Sequence, residues 1–176
     1  IKWRQKVGEE KANQITRKAT SRGTDFHEVA QDYLEGKSVD WESHLPASKF
    51  MFHACKPILD RIDNIHAIER TLFSEYLGIA GRVDCIAEFD GELAVIDFKT
   101  SEYIKPEEWL ENYFVQETFY ACAYYEMTGI PVKKLITIMQ CPNGENHVFD
   151  KRNKDEYIKL LVKYIKKFVT NRSTDA

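Results

Sequence analysis

The chain has 176 residues, 43 % of them hydrophobic and ten of them phenylalanine, which is enough for one sizeable core. No run approaches the roughly eighteen apolar residues of a membrane span, and the opening IKWRQKVGEEKANQ is no secretory signal. The net charge of −3 conceals an uneven distribution: residues 1–22 hold seven Lys/Arg against two Glu, residues 151–172 eight Lys/Arg against two acids, and 23–150 ten basic against 23 acidic residues. Basic ends around an acidic middle suit a polyanion at the ends and a metal at the centre, or simply two solvated helix faces. Cys55, Cys85, Cys122 and Cys141 are scattered through apolar runs. They read as buried thiols in a reducing compartment rather than metal ligands. The first residue is not methionine, as expected of a fragment or a processed form.

Taken in order, a weakly apolar stripe predicts a helix over 8–20 carrying Lys11, Arg17, Lys18 and Arg22. Ser21-Arg22-Gly23-Thr24 reads as its end, with Thr24 capping a second helix over 25–35. Phe26, Val29, Ala30, Tyr33 and Leu34 form the buried face of that helix, and His27 lies beside it. Residues 36–45 read as a loop and 47–62 as a covering helix that Pro57 kinks or breaks. A long strand starts near Ile65 and carries Glu69 and Glu75.

A hairpin follows. Val83 to Phe89 and Leu93 to Phe98 are apolar runs separated by Asp90-Gly91, a strong hairpin signal. Beyond Pro106 come a long helix over about 108–128 closed by Gly129, a strand over 132–141, a short edge strand at 147–149 and a last basic helix. Asn153 and Glu156 form a capping-box pair opening that helix. The order α-α-α-β-β-β-α-β-β-α predicts a small mixed sheet flanked by helices, an α/β fold in one domain over 1–176: a helical N-terminal segment over 1–63, a sheet core over 64–150 and a basic helix over 151–176.

The hairpin carries the chemistry. Asp97 and Lys99 are two apart on one strand and share a face, while Phe98 points the other way. If pairing brings Asp84 beside them, two acids and a lysine meet. Carboxylates in an apolar sheet need compensation, and a divalent cation supplies it. A neighbouring lysine can orient or deprotonate a water, so the set suits metal-assisted phosphodiester hydrolysis. The same residues also suit a structural salt bridge, Asp97 with Lys99 or Asp84 with Arg82.

Four segments together resemble the motifs of the PD-(D/E)xK nuclease superfamily. They look like its RecB-like branch, which includes the mitochondrial genome maintenance exonuclease and its phage relatives. Gly23-Thr24-Asp25-Phe26-His27 resembles Gly-x-x-x-His, and Gly81-Arg82-Val83-Asp84 resembles Gly-x-x-Asp. Ile96-Asp97-Phe98-Lys99-Thr100-Ser101 resembles the catalytic Asp-x-Lys strand, and Gln116-Glu117-Thr118-Phe119-Tyr120 resembles Gln-x-x-x-Tyr. Glu69 resembles the glutamate of the preceding strand. The resemblance implies a restriction-endonuclease-like core in which Asp84, Asp97 and Lys99 are catalytic. Mg²⁺ or Mn²⁺ would be held by Asp84, Asp97, His27 and the backbone carbonyl of Phe98. Thr100, Gln116 and Tyr120 would hold substrate or supporting groups, with core packing the alternative for Tyr120. Arg22 and Arg82 would reach phosphates, unless Arg82 pairs with Glu75 or Glu69, and Glu69 would have a supporting role. The cysteine arrangement of iron–sulfur members is not matched, so no cluster is expected.

By the same resemblance, the expected activity is exonucleolytic hydrolysis of DNA, preferring single-stranded ends threaded under covering helices. The alternatives are a structure-specific or end-processing endonuclease in a repair or recombination complex, and a DNA-binding module without cleavage. Replication or recombination proteins would be partners and no membrane would be. The setting would be the cytoplasm of a bacterial or phage-infected cell, with the mitochondrial matrix as the alternative.

Overall fold

The computed structural model describes residues 2–152 and 155–174. The elements run α1 (Lys2–Val7), α2 (Glu9–Leu34), α3 (Pro46–Leu59), β1 (Ile62–Ser74), β2 (Ile79–Phe89), β3 (Glu92–Thr100), a 3₁₀ turn (Glu107–Trp109), α4 (Glu111–Thr128), β4 (Lys134–Gln140), β5 (Asn146–Arg152) and α5 (Asp155–Thr174). One mixed α/β architecture results, with a five-stranded sheet in the order β1-β2-β3-β4-β5. Among the described residues no helix is long and apolar enough to cross a membrane.

The chain packs as two compact units: 1–59 with 99–104 and 139–146, and 60–98 with 105–138 and 147–176. In the first unit, α2 buries Ala12, Phe26, Val29 and Ala30, and α3 buries Met51, Phe52, Cys55 and Leu59. Tyr33 of α2 meets Phe52 of α3 edge-on, with ring centroids 5.2 Å apart. Asp25 accepts the Leu45 N–H at 2.9 Å and contacts His44 Nδ1 at 3.0 Å, which ties α2 to the start of α3. Burial opposes the Asp25 charge, but the polar groups of Ser48, His44 and Leu45 around it outweigh it and hold the carboxyl below its ordinary range. The Ser101 N–H donates to the Gln140 carbonyl at 3.1 Å, joining the segments that follow β3 and end β4.

The second unit is built on the β1–β2–β3 meander. At the Asp90-Gly91 turn both residues have positive φ, 53° and 79°, the geometry that suits the twist of a tight hairpin. It sets Phe89 opposite Glu92 and Cys85 opposite Ile96. Val83, Cys85, Ile86, Ala87, Phe89, Val95 and Ile96 are fully buried. Every residue of β4 that belongs to this unit, 134–138, is buried, as in a strand covered on both faces. α4 is apolar nearly all round: Phe114, Phe119 and Tyr124 are core, while Tyr125 is exposed.

The structure corrects several boundaries. The two helices expected over 8–20 and 25–35 are one 26-residue helix, preceded by the separate α1. Gly23 costs such a helix only about 1 kcal/mol, too little to break it. α3 ends at Leu59 and contains Pro57 in its last turn, so the proline neither splits the helix nor stops it at once. Ile62 therefore opens β1 rather than closing the helix. β1 ends at Ser74, so Glu75 lies in the following turn. β5 extends over Asn146–Arg152, well beyond the expected 147–149. The capping pair expected at the start of α5 falls on Asn153, outside the described residues.

Candidate active site

Strand register assembles the carboxylates of the second unit. The β2–β3 ladder runs from Phe89–Glu92 to Cys85–Ile96, so Asp84 and Asp97 are the next residues on the two strands. The Asp84 Oδ2 accepts the Phe98 backbone N–H at 2.8 Å, so this side chain satisfies an amide of β3. On its other flank, Ile68 pairs with Cys85 and Arg70 with Val83, which sets Glu69 opposite Asp84. Carboxylate oxygens of Glu69 and Asp84 lie within 4.8 Å of each other. Glu69 has φ +45°, a left-handed conformation that costs a non-glycine residue on the order of 1 kcal/mol or more. Strain of that kind persists where the surroundings demand a particular side-chain direction.

Asp97 is 3 % exposed. Burying it next to Phe98, whose amide Asp84 accepts, with Glu69 across from Asp84, concentrates negative charge that a cation would offset. Arg82 supplies some of that balance. Its Nε lies 2.7 Å from Glu69 Oε2 and donates to the Glu69 carbonyl at 3.2 Å. The arginine side chain is 65 % exposed, so the pair contributes at most about 1 kcal/mol. Three carboxylates are hard oxygen donors of the type that Mg²⁺ and Mn²⁺ prefer, and the donor set fits such an ion.

α4 holds β2 from behind. A Cβ at Gly81 would stand 3.1 Å from both Phe119 Cε1 and Tyr120 Cε1. The glycine of Gly-x-x-Asp thus lets the helix approach the strand. Tyr120 is 4 % exposed, and its hydroxyl donates to the Arg82 carbonyl at 2.7 Å. Gln116, exposed and one turn earlier, lies 3.4 Å from that hydroxyl through Nε2.

In the first unit, the glycine of Gly-x-x-x-His has a similar reason. A Cβ at Gly23 would come 2.9 Å from Thr100 Oγ1, so α2 passes close over the end of β3. His27, half-buried, is one turn further along the same helix face. Arg22, 16 % exposed, is ion-paired with Glu102. Lys99 and Thr100 are half-buried at the end of β3.

Sequence reasoning missed three supports. Asp25 clasps His44 and Leu45. Glu117, fully buried on α4, accepts a hydrogen bond from the Thr137 hydroxyl of β4. Glu126 of α4 pins the β1–β2 turn. The available signal was an acid set among apolar helical neighbours, which names no partner.

Cys85, next to Asp84, is chemically quiet: burial, then the Asp84 charge, pushes its thiol up to about 12. Burial does the same for Cys55, also to about 12. Thiolate is the reactive form, so iodoacetamide at neutral pH should label Cys122, which is only half-buried, well before Cys55 or Cys85. Mass spectrometry of the folded and denatured protein would check this. Rapid native labelling of Cys85 would contradict the buried strand.

Residues 49–171 match the family model of the PD-(D/E)XK nuclease superfamily. Mitochondrial genome maintenance exonuclease 1 of Homo sapiens is 31 % identical over 124 residues, 67 % of this chain and 34 % of that protein. The Xenopus tropicalis protein of the same name is 28 % identical over 122 residues, 67 % of this chain and 33 % of its own. One chain of the ATP-dependent helicase/nuclease of Clostridium botulinum is 34 % identical over 61 residues, 35 % of this chain and 5 % of that one. The chain thus spans about a third of the length of the curated exonucleases it matches. A crystal structure of a candidate exonuclease from Eubacterium rectale shares the fold. Its TM-score is 0.59 at 10 % identity, covering 85 % of this chain and 65 % of that one. With the family model matched over residues 49–171, well over half of its length, the chain belongs to the PD-(D/E)XK nuclease superfamily.

Proposed function

We propose that this chain is the nuclease portion of a divalent-metal-dependent DNA exonuclease that acts on single-stranded ends. The observation that carries the reading is the carboxylate row across β1, β2 and β3: Glu69 beside Asp84, and Asp84 bonded to the Phe98 amide next to Asp97. Lys99 follows two residues on along β3.

Asp84 and Asp97 would hold Mg²⁺ or Mn²⁺, joined by the Phe98 carbonyl and His27. A divalent ion so held polarises the scissile phosphate and acidifies a bound water. Lys99 orients the attacking water through its ammonium and holds charge next to the phosphate. Glu69 keeps Arg82 and Asp84 in place. The exposed Arg82–Glu69 pair exchanges readily for an Arg82–phosphate contact, because little free energy separates the two. Thr100 and Gln116 bind the substrate backbone, and Arg22 contacts a phosphate from α2. Tyr120 is a positioning residue: its buried hydroxyl fixes the β2 backbone two residues before Asp84. Tyr120→Phe should therefore cost about 1 kcal/mol. That corresponds to a fall in Tm of about 2–4 °C for a chain of this size, with KM unchanged. A raised KM at unchanged Tm would make Tyr120 a substrate contact instead. Partners in replication or recombination, and a bacterial, phage-infected or mitochondrial setting, extend this reading.

The test is cleavage of end-labelled linear single-stranded DNA in Mn²⁺ or Mg²⁺, with duplex and closed circular strands beside it. Progressive shortening of the linear strand alone is the expected result. Cutting of the circle would make the protein an endonuclease. Tight DNA binding with no cleavage in either metal would make it a binding module.

A further inference from the structure

The carboxylate row does not end at the edge of the site. β1 and β2 continue past it as a two-stranded arm, with Thr71 paired to Arg82 and Phe73 to Ala80. Side chains alternate along a strand, so residues 71, 73, 80 and 82 share the face of Glu69 and Asp84. The Arg82–Glu69 ion pair shows directly that both side chains lie on that face. The opposite face is covered: Leu72, Ser74 and Val83 are buried, and Gly81 lies under Phe119 and Tyr120. The site face is bare. Thr71, Ala80 and Arg82 are exposed, and Phe73 is 46 % exposed.

The arm ends in a turn built to stay still. Glu126 accepts hydrogen bonds from the Ser74 hydroxyl at 2.5 Å and from the Glu75 and Tyr76 amides at 2.8 and 3.2 Å. The Leu77 amide donates to Ser74 Oγ at 3.0 Å, and the Gly78 amide to the Ser74 carbonyl at 2.9 Å. On this fixed turn Tyr76 stands 90 % exposed. An ordered turn that satisfies its own amides yet leaves its largest apolar side chain in water presents that ring for something else to cover.

We infer that the open face of the β1–β2 arm is a platform for single-stranded nucleic acid, on which bases beyond the scissile phosphate stack against Phe73 and Tyr76 while Arg82 holds the backbone between platform and site. The inference rests on the nuclease reading and names where its substrate lies. From Asp84 to Ala80 the strand rises ~13 Å, which matches about four stacked nucleotides. Aromatic rings stack on any base and so hold a strand without reading its sequence. Arginine next to two unpartnered aromatics and one step from the carboxylates matches the charge and flat faces of a single strand. A protein partner would need neither the register nor the continuity with the site.

The test is fluorescence anisotropy of 5′-labelled thymidine strands with the metal chelated, so that binding is read without cleavage. Phe73→Ala/Tyr76→Ala should bind a strand of about twenty nucleotides at least about tenfold more weakly. It should bind one of about two nucleotides, too short to reach Phe73 from the site, almost as the unaltered protein does. Phe73→Trp/Tyr76→Trp should restore the long-strand affinity, and the loss should persist at high salt because stacking is not screened. Equal losses on both strands, or none on the long one, would overturn the inference. So would a dimer of the unaltered protein that the alanine variant dissociates, since β1 is an edge strand and a second copy would then be the occupant. If the unaltered protein cleaves in Mn²⁺ while the alanine variant binds normally, the platform fails and the nuclease reading stands. If the unaltered protein neither binds nor cleaves single strands, both fail.

Discussion

Asp97→Asn should abolish cleavage while leaving the fold intact, and it should also uncouple the protein's stability from divalent metal. Removing one preorganised charged group from a polar active site costs ~10²–10³ in rate, and loss of a metal ligand should reach the upper end or beyond. Asparagine is nearly isosteric with aspartate, so the packing around this 3 % exposed side chain survives. Without metal the variant should melt at or slightly above the unaltered protein, because the row of Glu69, Asp84 and position 97 has lost one of its mutually repelling charges. With Mn²⁺ at about a hundred times its Kd, the unaltered protein should gain ~2.7 kcal/mol. At about 2–4 °C per kcal/mol for a chain this long, that is a rise of about 5–10 °C. Asp97→Asn should show little of it. Lys99→Ala separates the roles: it should lose cleavage and keep the metal-dependent rise, as a residue acting on water rather than on the ion would. Thermal scans with and without Mn²⁺, run beside the cleavage assay, measure both. A full metal-dependent rise in Asp97→Asn would remove Asp97 from the ligand set.

Local chemistry made the middle of the chain readable. Asp90-Gly91 between two apolar runs forces a tight hairpin, and once the turn is placed the period of two fixes which acids share a face. That is how spacing put Asp84 and Asp97 forward as candidates for one site. The predicted order of helices and strands also matches the observed one, but partly by accident. The expected break at 21–24 does not exist, and the separate α1 makes up the number. Ser-Arg-Gly-Thr has the composition of a turn, and nothing local says otherwise. The reason for Gly23 lies some 77 residues away, at Thr100. Gly81 is the same case, its reason being the rings of Phe119 and Tyr120. Both motif glycines are therefore recognisable as a pattern and explicable only from the tertiary approach of another element. The strained φ of Glu69 and the Thr137 partner of Glu117 are likewise products of packing.

Gly23→Ala turns that distinction into an experiment with opposite signs for stability and activity. In a helix interior alanine is favoured over glycine by about 1 kcal/mol, and Gly23 has ordinary helical backbone geometry within α2. On helix propensity alone the variant should melt at an equal or higher temperature, by up to about 2–4 °C. The new Cβ, however, would fall 2.9 Å from Thr100 Oγ1, closer than real contacts allow. The obstacle is the end of a side chain, so the threonine should rotate rather than the helix move. Thr100 directly follows Lys99, and misplacement of positioning groups by about 1 Å costs on the order of 10²-fold in rate. Cleavage should thus fall about tenfold to a hundredfold in a protein that is no less stable. Gly81→Ala should behave differently. Its new methyl meets the rings of Phe119 and Tyr120, which are 6 % and 4 % exposed and have no room to turn. Overpacking of that kind costs about 1–3 kcal/mol, so stability and activity should fall together. Combining Gly23→Ala with Thr100→Ala closes the cycle. If the glycine serves to leave room for the threonine hydroxyl, the two losses of activity will not add, because the second substitution removes the atom that the first one displaced. Additive losses would mean that α2 needs Gly23 for something other than Thr100.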